Sequence, residues 1–472
     1  MPHALCPFIR LITYSLSLIA SVLTPIALFA AETAHNAAMQ DALLVGKRER
    51  SRCPAELLFE SAKNKESELA GTGLRVIRGR HIHIITDLPS SKEIDRLPQL
   101  FDAAVELWAD FFRLDDETVA DWKMLGILVG DTNHFASTTL LKPLLNHVPK
   151  LEHGFSVGNW LWIREQESDY YRRHLLLHEG VHGLMNHFFG SCGPNWYMEG
   201  LAELLGTHYW DEKTETLTLP YFPENREIVP LWGRIRILND LRGDRQSRNI
   251  ESIFTMPFDG ADNTPSYAWS WGLAAFLNGH PLYGETLRDA VTDVSLSHTE
   301  FTRRFRAKLE SIQSGRVHVD WNDFLARLEY GYDFQHNAIR DLSPGKPLKN
   351  ERREISVEAD GGWQNAGILV EKGKAYSFQA NGRFQLAAEG RKIWWSEPNG
   401  VTIRYYQGRP LGVLLGAVLT EGKERNFQIF PIGNATTWTA LESGTLFLRI
   451  NDDPAELRDN AGTVAVKVEM AK

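Results

Sequence analysis

The pattern of apolar and polar positions divides the chain into stretches of different period. Leu11 to Ala31 is almost unbroken apolar sequence, and Arg10 is the only charge before Glu32. Residues 31–75 turn polar and rich in Glu and Lys, with one apolar patch at Leu57, Leu58 and Phe59, and predict a helical lead-in. From Arg75 the texture changes again: Val76, Ile77, His81, Ile82, His83, Ile84 and Ile85 form a β-rich run. Ile94, Leu97, Leu100, Phe101, Ala104, Val105, Leu107 and Trp108 then recur at helical spacing. Further strands are predicted at 124–129 and around 160–164. Helices are expected to dominate from there to about Phe334, with an apolar run at 269–277.

The segment from Asp341 to Asn350 is rich in turn formers and charge, and predicts a linker over 341–351. Beyond it the period is two. Val464, Val466, Val468 and Met470 alternate with Thr463, Ala465, Lys467 and Glu469, and Leu446, Leu448 and Ile450 alternate with Thr445, Phe447 and Arg449. Short strands separated by Gly- and Asn-containing turns predict an antiparallel β-sandwich over 352–472. The expected fold class is therefore α+β, a mixed domain over 76–340 followed by an all-β one.

Length and composition narrow the function classes. With 472 residues, 43% hydrophobic and 24% charged, the chain should form two or three globular domains and is neither disordered nor fibrous. Its net charge of -9, without a long basic run, excludes nucleic acid as an expected partner. The apolar start has the layout of a secretory signal peptide over 1–30, which implies a secreted or periplasmic location. About 20 apolar residues could also span a bilayer as a retained anchor. Pro25, the small residues near Ala30 and the polar sequence that follows favour cleavage, with no stable membrane insertion afterwards. Cleavage would remove Cys6 and leave Cys53 and Cys192, which an oxidising compartment would permit to pair; two unpaired thiols are equally compatible with the sequence.

The most informative segment is His178-Glu179-Gly180-Val181-His182. On a helix, His178 and His182 lie one turn apart on one face, so both imidazoles can reach one Zn²⁺, with Glu179 beside them to hold the attacking water. Asn195 to Glu203 offers a third ligand, Glu199, which leaves the fourth position open for water. Glu203, one turn on, is placed to receive the second ring N–H of a ligand histidine. Gly200 removes a side chain where helices and a metal must come close. His174, His187 and His208 read as ordinary packed or exposed histidines.

Together, His178-Glu179-x-x-His182 and Trp196-x-x-Glu199-Gly200-x-Ala202-Glu203 resemble the gluzincin metallopeptidases, the group of thermolysin. The Glu-Gly-x-Ala-Glu form is most similar to bacterial proteins of the peptidase MA-like type. The resemblance extends loosely over 76–335. It implies a zinc metallopeptidase acting on peptide or protein, with His178, His182 and Glu199 as ligands, Glu179 as general base and proton carrier, and Glu203 behind the ligands. A metzincin would need a third histidine at position 188, which is Phe188. The family's oxyanion tyrosine falls at a distance that makes Tyr267 the candidate, with Tyr197, Tyr209 and Tyr283 as alternatives.

At the C-terminus, a strand ends in Asn451-Asp452 and a loop returns through Asp459-Asn460-x-Gly462. Oxygen-rich side chains on a tight loop suit a hard cation. With Gly361-Gly-Trp363 and Ala380-Asn-Gly382, this resembles the small calcium-dependent galactose-binding lectins of bacteria. The resemblance implies a Ca²⁺ site from Asp452, Asp459 and Asn460 side chains and the Glu456 carbonyl, and a carbohydrate partner. Asp452 and Asn460 could equally serve only to make turns. The sequence departs from that family between Gly400 and Leu414, where its His–Gln sugar-holding pair has no counterpart. Trp394, Trp395, Tyr405 and Tyr406 are candidates to stack on sugar or to pack as core. The expectation is a secreted zinc hydrolase carrying a lectin-like module; the alternative is a surface carbohydrate-binding or adhesion protein whose peptidase domain is degenerate.

Overall fold

The computed structural model describes residues 69, 71–142, 151–258, 263–349, 351–390, 392–420 and 426–471. The expected signal segment, nearly all of the lead-in and Cys53 lie outside the described residues, and with Cys53 both alternatives for the two cysteines, paired or free; Cys192 is buried. Among the described residues, no helix is long and apolar enough to cross a membrane.

The apolar run after Arg75 divides into two antiparallel strands, β1 (Arg75–Arg78) and β2 (Ile82–Thr86). With β3 (Met124–Val129), β4 (Gly154–Val157) and β5 (Trp160–Arg164) they form a five-stranded sheet in the order β1-β2-β3-β5-β4. β2, β3 and β5 run parallel, and β4 returns antiparallel on the edge. Every residue of β3 is buried, as a parallel strand covered on both faces should be. Ile82 and Ile84 join the main core with α1 (Leu97–Phe112) and α2 (Asp169–Phe189), whereas Ile85 and Ile127 pack in a smaller cluster on the opposite face.

Beyond α2 the chain is largely helical: α3 (Asn195–Gly206), a hairpin of β6 (Tyr209–Asp211) and β7 (Thr216–Thr218), α4 (Arg234–Gly243), α5 (Thr264–Gly279), α6 (His298–Ile312) and α7 (Arg316–Ala326). The ten consecutive residues Ala268 to Leu277 of α5 are all buried, so this helix is apolar all round and lies inside the helical layer. It packs against α3 and α4.

The C-terminal half contains β8 (Lys346–Pro347), β9 (Arg353–Glu358), β10 (Gln364–Val370), β11 (Ala375–Asn381), β12 (Phe384–Glu389), β13 (Lys392–Ser396), β14 (Asn399–Tyr406), β15 (Arg409–Thr420), β16 (Phe427–Pro431), β17 (Ala435–Thr439), β18 (Gly444–Ile450) and β19 (Thr463–Met470). One sheet runs β14-β15-β18-β10-β8, with β16 also on β15; the other runs β17-β11-β19-β9. Val464, Val466 and Val468 meet Leu446, Leu448 and Ile450 in the core between them, as the alternation predicts. The α+β class and a β-rich, sandwich-like C-terminal region are therefore as expected.

Two features go beyond what the pattern predicts. Within the predicted linker, Lys346 and Pro347 pair in parallel with Ile368 and Leu369, and Leu348 is buried. The outward positions of β18, Thr445, Phe447 and Arg449, are buried as well. Phe447, with Leu415 and Ala417 of β15, packs against Val319 of α7 and against Ile339 and Leu342. The second face of the sheet is thus covered by the helical half.

Candidate metal centre

α2 begins at Ser168, whose hydroxyl accepts from the Tyr171 amide at 3.2 Å, and ends at Gly190 in the left-handed region. Its helical period turns His178 and His182 toward α3. Their Nε2 atoms are 3.2 Å apart, and they stand 3.2 and 3.4 Å from Oε2 of Glu199. A tetrahedral ion with bonds of about 2.0–2.1 Å spaces its ligand atoms by about 3.3–3.4 Å. The three atoms therefore outline one face of such a tetrahedron, and among the described residues no fourth His, Cys, Asp or Glu joins them. All three residues are buried, and Glu199 Oε2 has only the two imidazole nitrogens beside it. The site fits a divalent metal.

Gly200 is what lets α3 sit this deep. A Cβ there would stand 3.0 Å from the Ser270 carbonyl oxygen and 3.3 Å from Cβ of Ala274, both on α5.

Without a cation the three groups neutralise one another. Burial alone would lower the pKa of His178, but the bond with Glu199 and the surrounding carboxylates outweigh it and raise it to about 9. For His182 the same burial is outweighed chiefly by the charge of Glu199, raising it to about 10. Burial works against the ionised form of Glu199 too, and the two imidazoles prevail, holding it down at about 2.

Glu203, one turn along α3, lies behind the ligands. Its Oε1 is 3.5 Å from Nδ1 of His178, and its Oε2 is 3.4 Å from Nε2 of His174. Both oxygens accept from the buried Arg234 of α4, from Nη2 at 2.8 Å and Nε at 2.9 Å. Burial would raise the pKa of Glu203; the guanidinium outweighs it and holds the carboxyl well below its usual range. His174, His178 and Glu203 also bring ligand atoms within 4.8 Å, but a guanidinium already occupies the carboxylate and repels a second cation. Of the packed or exposed alternatives for His174, the structure has the packed one: it is fully buried, and the acid it meets, Glu203, comes from another helix.

Glu179, next to His178 on α2, is buried as well. Its Oε2 accepts from Ser156 Oγ at 2.7 Å, on the edge strand β4. A Cβ at Gly154 would fall 2.7 Å from Glu179 Oε1, so the glycine provides the room the carboxylate fills.

Tyr267 stands in the first turn of α5, its ring edge-on to His178 at 6.1 Å between centroids. The charge of Glu199, together with burial, pushes its hydroxyl well above the ordinary value, so it stays protonated and can donate. The alternatives are engaged elsewhere: Tyr197 donates to the Leu287 carbonyl, Tyr283 donates to Asp320, and the exposed Tyr209 packs on Tyr221. His208 stacks on Tyr170 and His187 is exposed, as expected.

In the sandwich, Asp452 and Asn460 are buried side by side, with Asn460 Nδ2 donating to Asp452 Oδ2 at 2.8 Å. Burial pushes Asp452 up to about 7. Oδ1 of Asp459 and Oδ1 of Asn460 lack hydrogen-bond partners. Among the described residues, the groups of three His, Cys, Asp or Glu that converge are the two beside α2; the expected calcium set rests partly on the Asn460 side chain and the Glu456 carbonyl, which are not of those types.

Sequence reasoning did not single out Arg234, Ser156 or Gly154. For β4 a signal exists: Gly158-Asn159 is a two-residue turn between Gly154–Val157 and Trp160–Arg164. For Arg234 there is none.

No protein-family description matches the chain, and no curated protein matches it. Among solved structures it is similar to one described as the EclA N-terminal domain, a PllA-like lectin. That match has 24% identity and a TM-score of 0.20, over 25% of this chain and 95% of the other.

Proposed function

We propose that the N-terminal α+β half is a zinc-dependent hydrolase of peptide bonds, acting in a secreted or periplasmic setting. The observation that carries this reading is the triangle of His178 Nε2, His182 Nε2 and Glu199 Oε2, to which no fourth His, Cys, Asp or Glu among the described residues adds an atom, next to Glu179 in the sequence and on the helix. These three residues would hold the ion, whose chemistry there is Lewis-acid polarisation of the scissile carbonyl and acidification of water. Glu179 accepts a proton from the attacking water as its oxygen bonds to the carbonyl carbon. It then returns that proton to the amide nitrogen as the C–N bond breaks. Ser156 orients Glu179 through its hydrogen bond, and the Tyr267 hydroxyl is the side-chain donor for the developing oxyanion. Glu203, fixed by Arg234, orients the ring of His178 from behind. A purely structural ion accounts less well for the arrangement, since it would leave Glu179 without a role.

For the sandwich we infer an accessory module that takes Ca²⁺ and carbohydrate. The buried Asp452–Asn460 pair and the unpartnered oxygens of Asp459 and Asn460 support the cation part.

The deciding experiment is metal analysis of the purified protein and of His178→Ala, paired with cleavage of an unstructured protein substrate. Stoichiometric zinc and cleavage in the parent, both lost in the variant, are expected. Absence of zinc from the parent, or its full retention in the variant, overturns the assignment.

A further inference from the structure

Three histidines form a stripe on α2: His174, His178 and His182 follow one another at intervals of one helical turn. His174 is fully buried, yet it supplies no atom to the triangle of His178, His182 and Glu199. An imidazole taken out of water needs a polar partner; without one, a hydrocarbon ring would be buried more easily in its place. The acid that meets it is Glu203, whose Oε2 stands 3.4 Å from His174 Nε2.

The groups around the Glu203 carboxylate fall into two pairs. Oε2 accepts from Nε of Arg234 and faces Nε2 of His174, while Oε1 accepts from Nη2 of Arg234 and faces Nδ1 of His178. A carboxylate has about four lone-pair directions. Here each oxygen has one guanidinium N–H and one imidazole nitrogen before it. The His174 ring is itself fixed: it lies nearly parallel to Tyr171 at 5.9 Å and to Tyr170 at 6.3 Å, and a Cβ at Gly206 would stand 3.3 Å from its Nδ1 and Cε1. Burial draws the pKa of His174 below its ordinary value, so the ring is neutral with a single N–H, which the approach to Glu203 places on Nε2.

We propose that His174 is a positioning residue of the metal centre, acting through Glu203; the role rests on the reading of the triangle as a zinc site. Arg234 holds the carboxylate from α4, which carries no ligand. His174 ties the same carboxylate to α2, one turn before His178, so that Glu203 of α3 is joined to the ligand helix at two points. That double tie keeps Oε1 on Nδ1 of His178 and keeps the Nε2 edge of the ring turned toward Glu199. It also sets the spacing of α2 and α3 at which the three ligand atoms converge.

The test is the zinc affinity of the whole protein, read by competition with a chelating indicator, in the parent, His174→Phe and His174→Gln. His174→Phe keeps a flat buried ring without the N–H and should bind zinc about 10–100-fold more weakly. His174→Gln, whose amide nitrogen can take the place of Nε2, should recover most of that affinity, whereas a role confined to packing would be served better by Phe. Parent-like affinity in His174→Phe, or equal losses in both variants, overturns the proposal while the zinc site stands. A parent that binds no zinc overturns the zinc reading and the proposal with it. Should His174→Phe fail to fold, imidazole nitrogen NMR of the labelled parent decides, with the His174 signals assigned by their loss in His174→Gln: a proton on Nε2 is expected, and a proton on Nδ1 alone overturns the proposal.

Discussion

Arg234 lies against the carboxylate of Glu203 with both side chains buried, its Nε 2.9 Å from one oxygen and its Nη2 2.8 Å from the other. The pair stands immediately behind His178, so the second layer of the metal centre is anchored on a helix that supplies no ligand. Removing the cation alone would leave a buried charge uncompensated. Arg234→Met should lose about 3–5 kcal/mol in urea unfolding, and the double variant with Glu203→Gln should recover part of it. A loss below about 1 kcal/mol would contradict the arrangement. Because the Glu203 pKa is depressed on folding, this stability is present above the ordinary carboxylate value and disappears as pH falls through the depressed one.

Glu179 touches no metal-ligand position, so its chemistry and the metal's retention should separate. Glu179→Gln is expected to keep its zinc while cleavage falls by about 10²–10⁴-fold, the range of general-base contributions. Metal content and turnover measured on the same preparation check this, and full activity would remove the mechanism.

Gly154 borders the same carboxylate. In Gly154→Ala the new methyl would meet Glu179 Oε1 at 2.7 Å, so the carboxylate must move. The expected result is reduced kcat with zinc content unchanged; wild-type kcat would show that Glu179 is not held where the structure has it.

Tyr267→Phe removes one donor from the oxyanion side. A kcat lower by about 10²-fold with little change in KM is expected. An unaltered kcat would transfer that role to another group.

Uptake of metal should displace protons. In the metal-free site His178 and His182 lie at about 9 and 10, yet Nε2 atoms 3.2 Å apart cannot both direct a proton at each other. At least one imidazolium therefore pairs with Glu199, and metal must expel its proton. Metal affinity should rise with pH up to the raised imidazole values and fall below them. Calorimetric titration of the metal-free protein with Zn²⁺ near pH 7, in buffers of different ionisation enthalpy, should report release of at least one proton; no release would contradict it.

The sequence by itself determined whatever depends on a local period. The turn of a helix places His178 over His182 and Glu199 over Glu203, and the pleat of a strand places Val464, Val466 and Val468 on one face. Tertiary structure decided the rest. Arg234 reaches Glu203 and Ser156 reaches Glu179 across separate elements, and His174 acquires its acid from a neighbouring helix. The outer face of β18 is buried only because α7 packs against it, although its alternation is that of a strand with one face in water. Such contacts join segments with no common period, and they form only when burial of apolar surface brings those segments together.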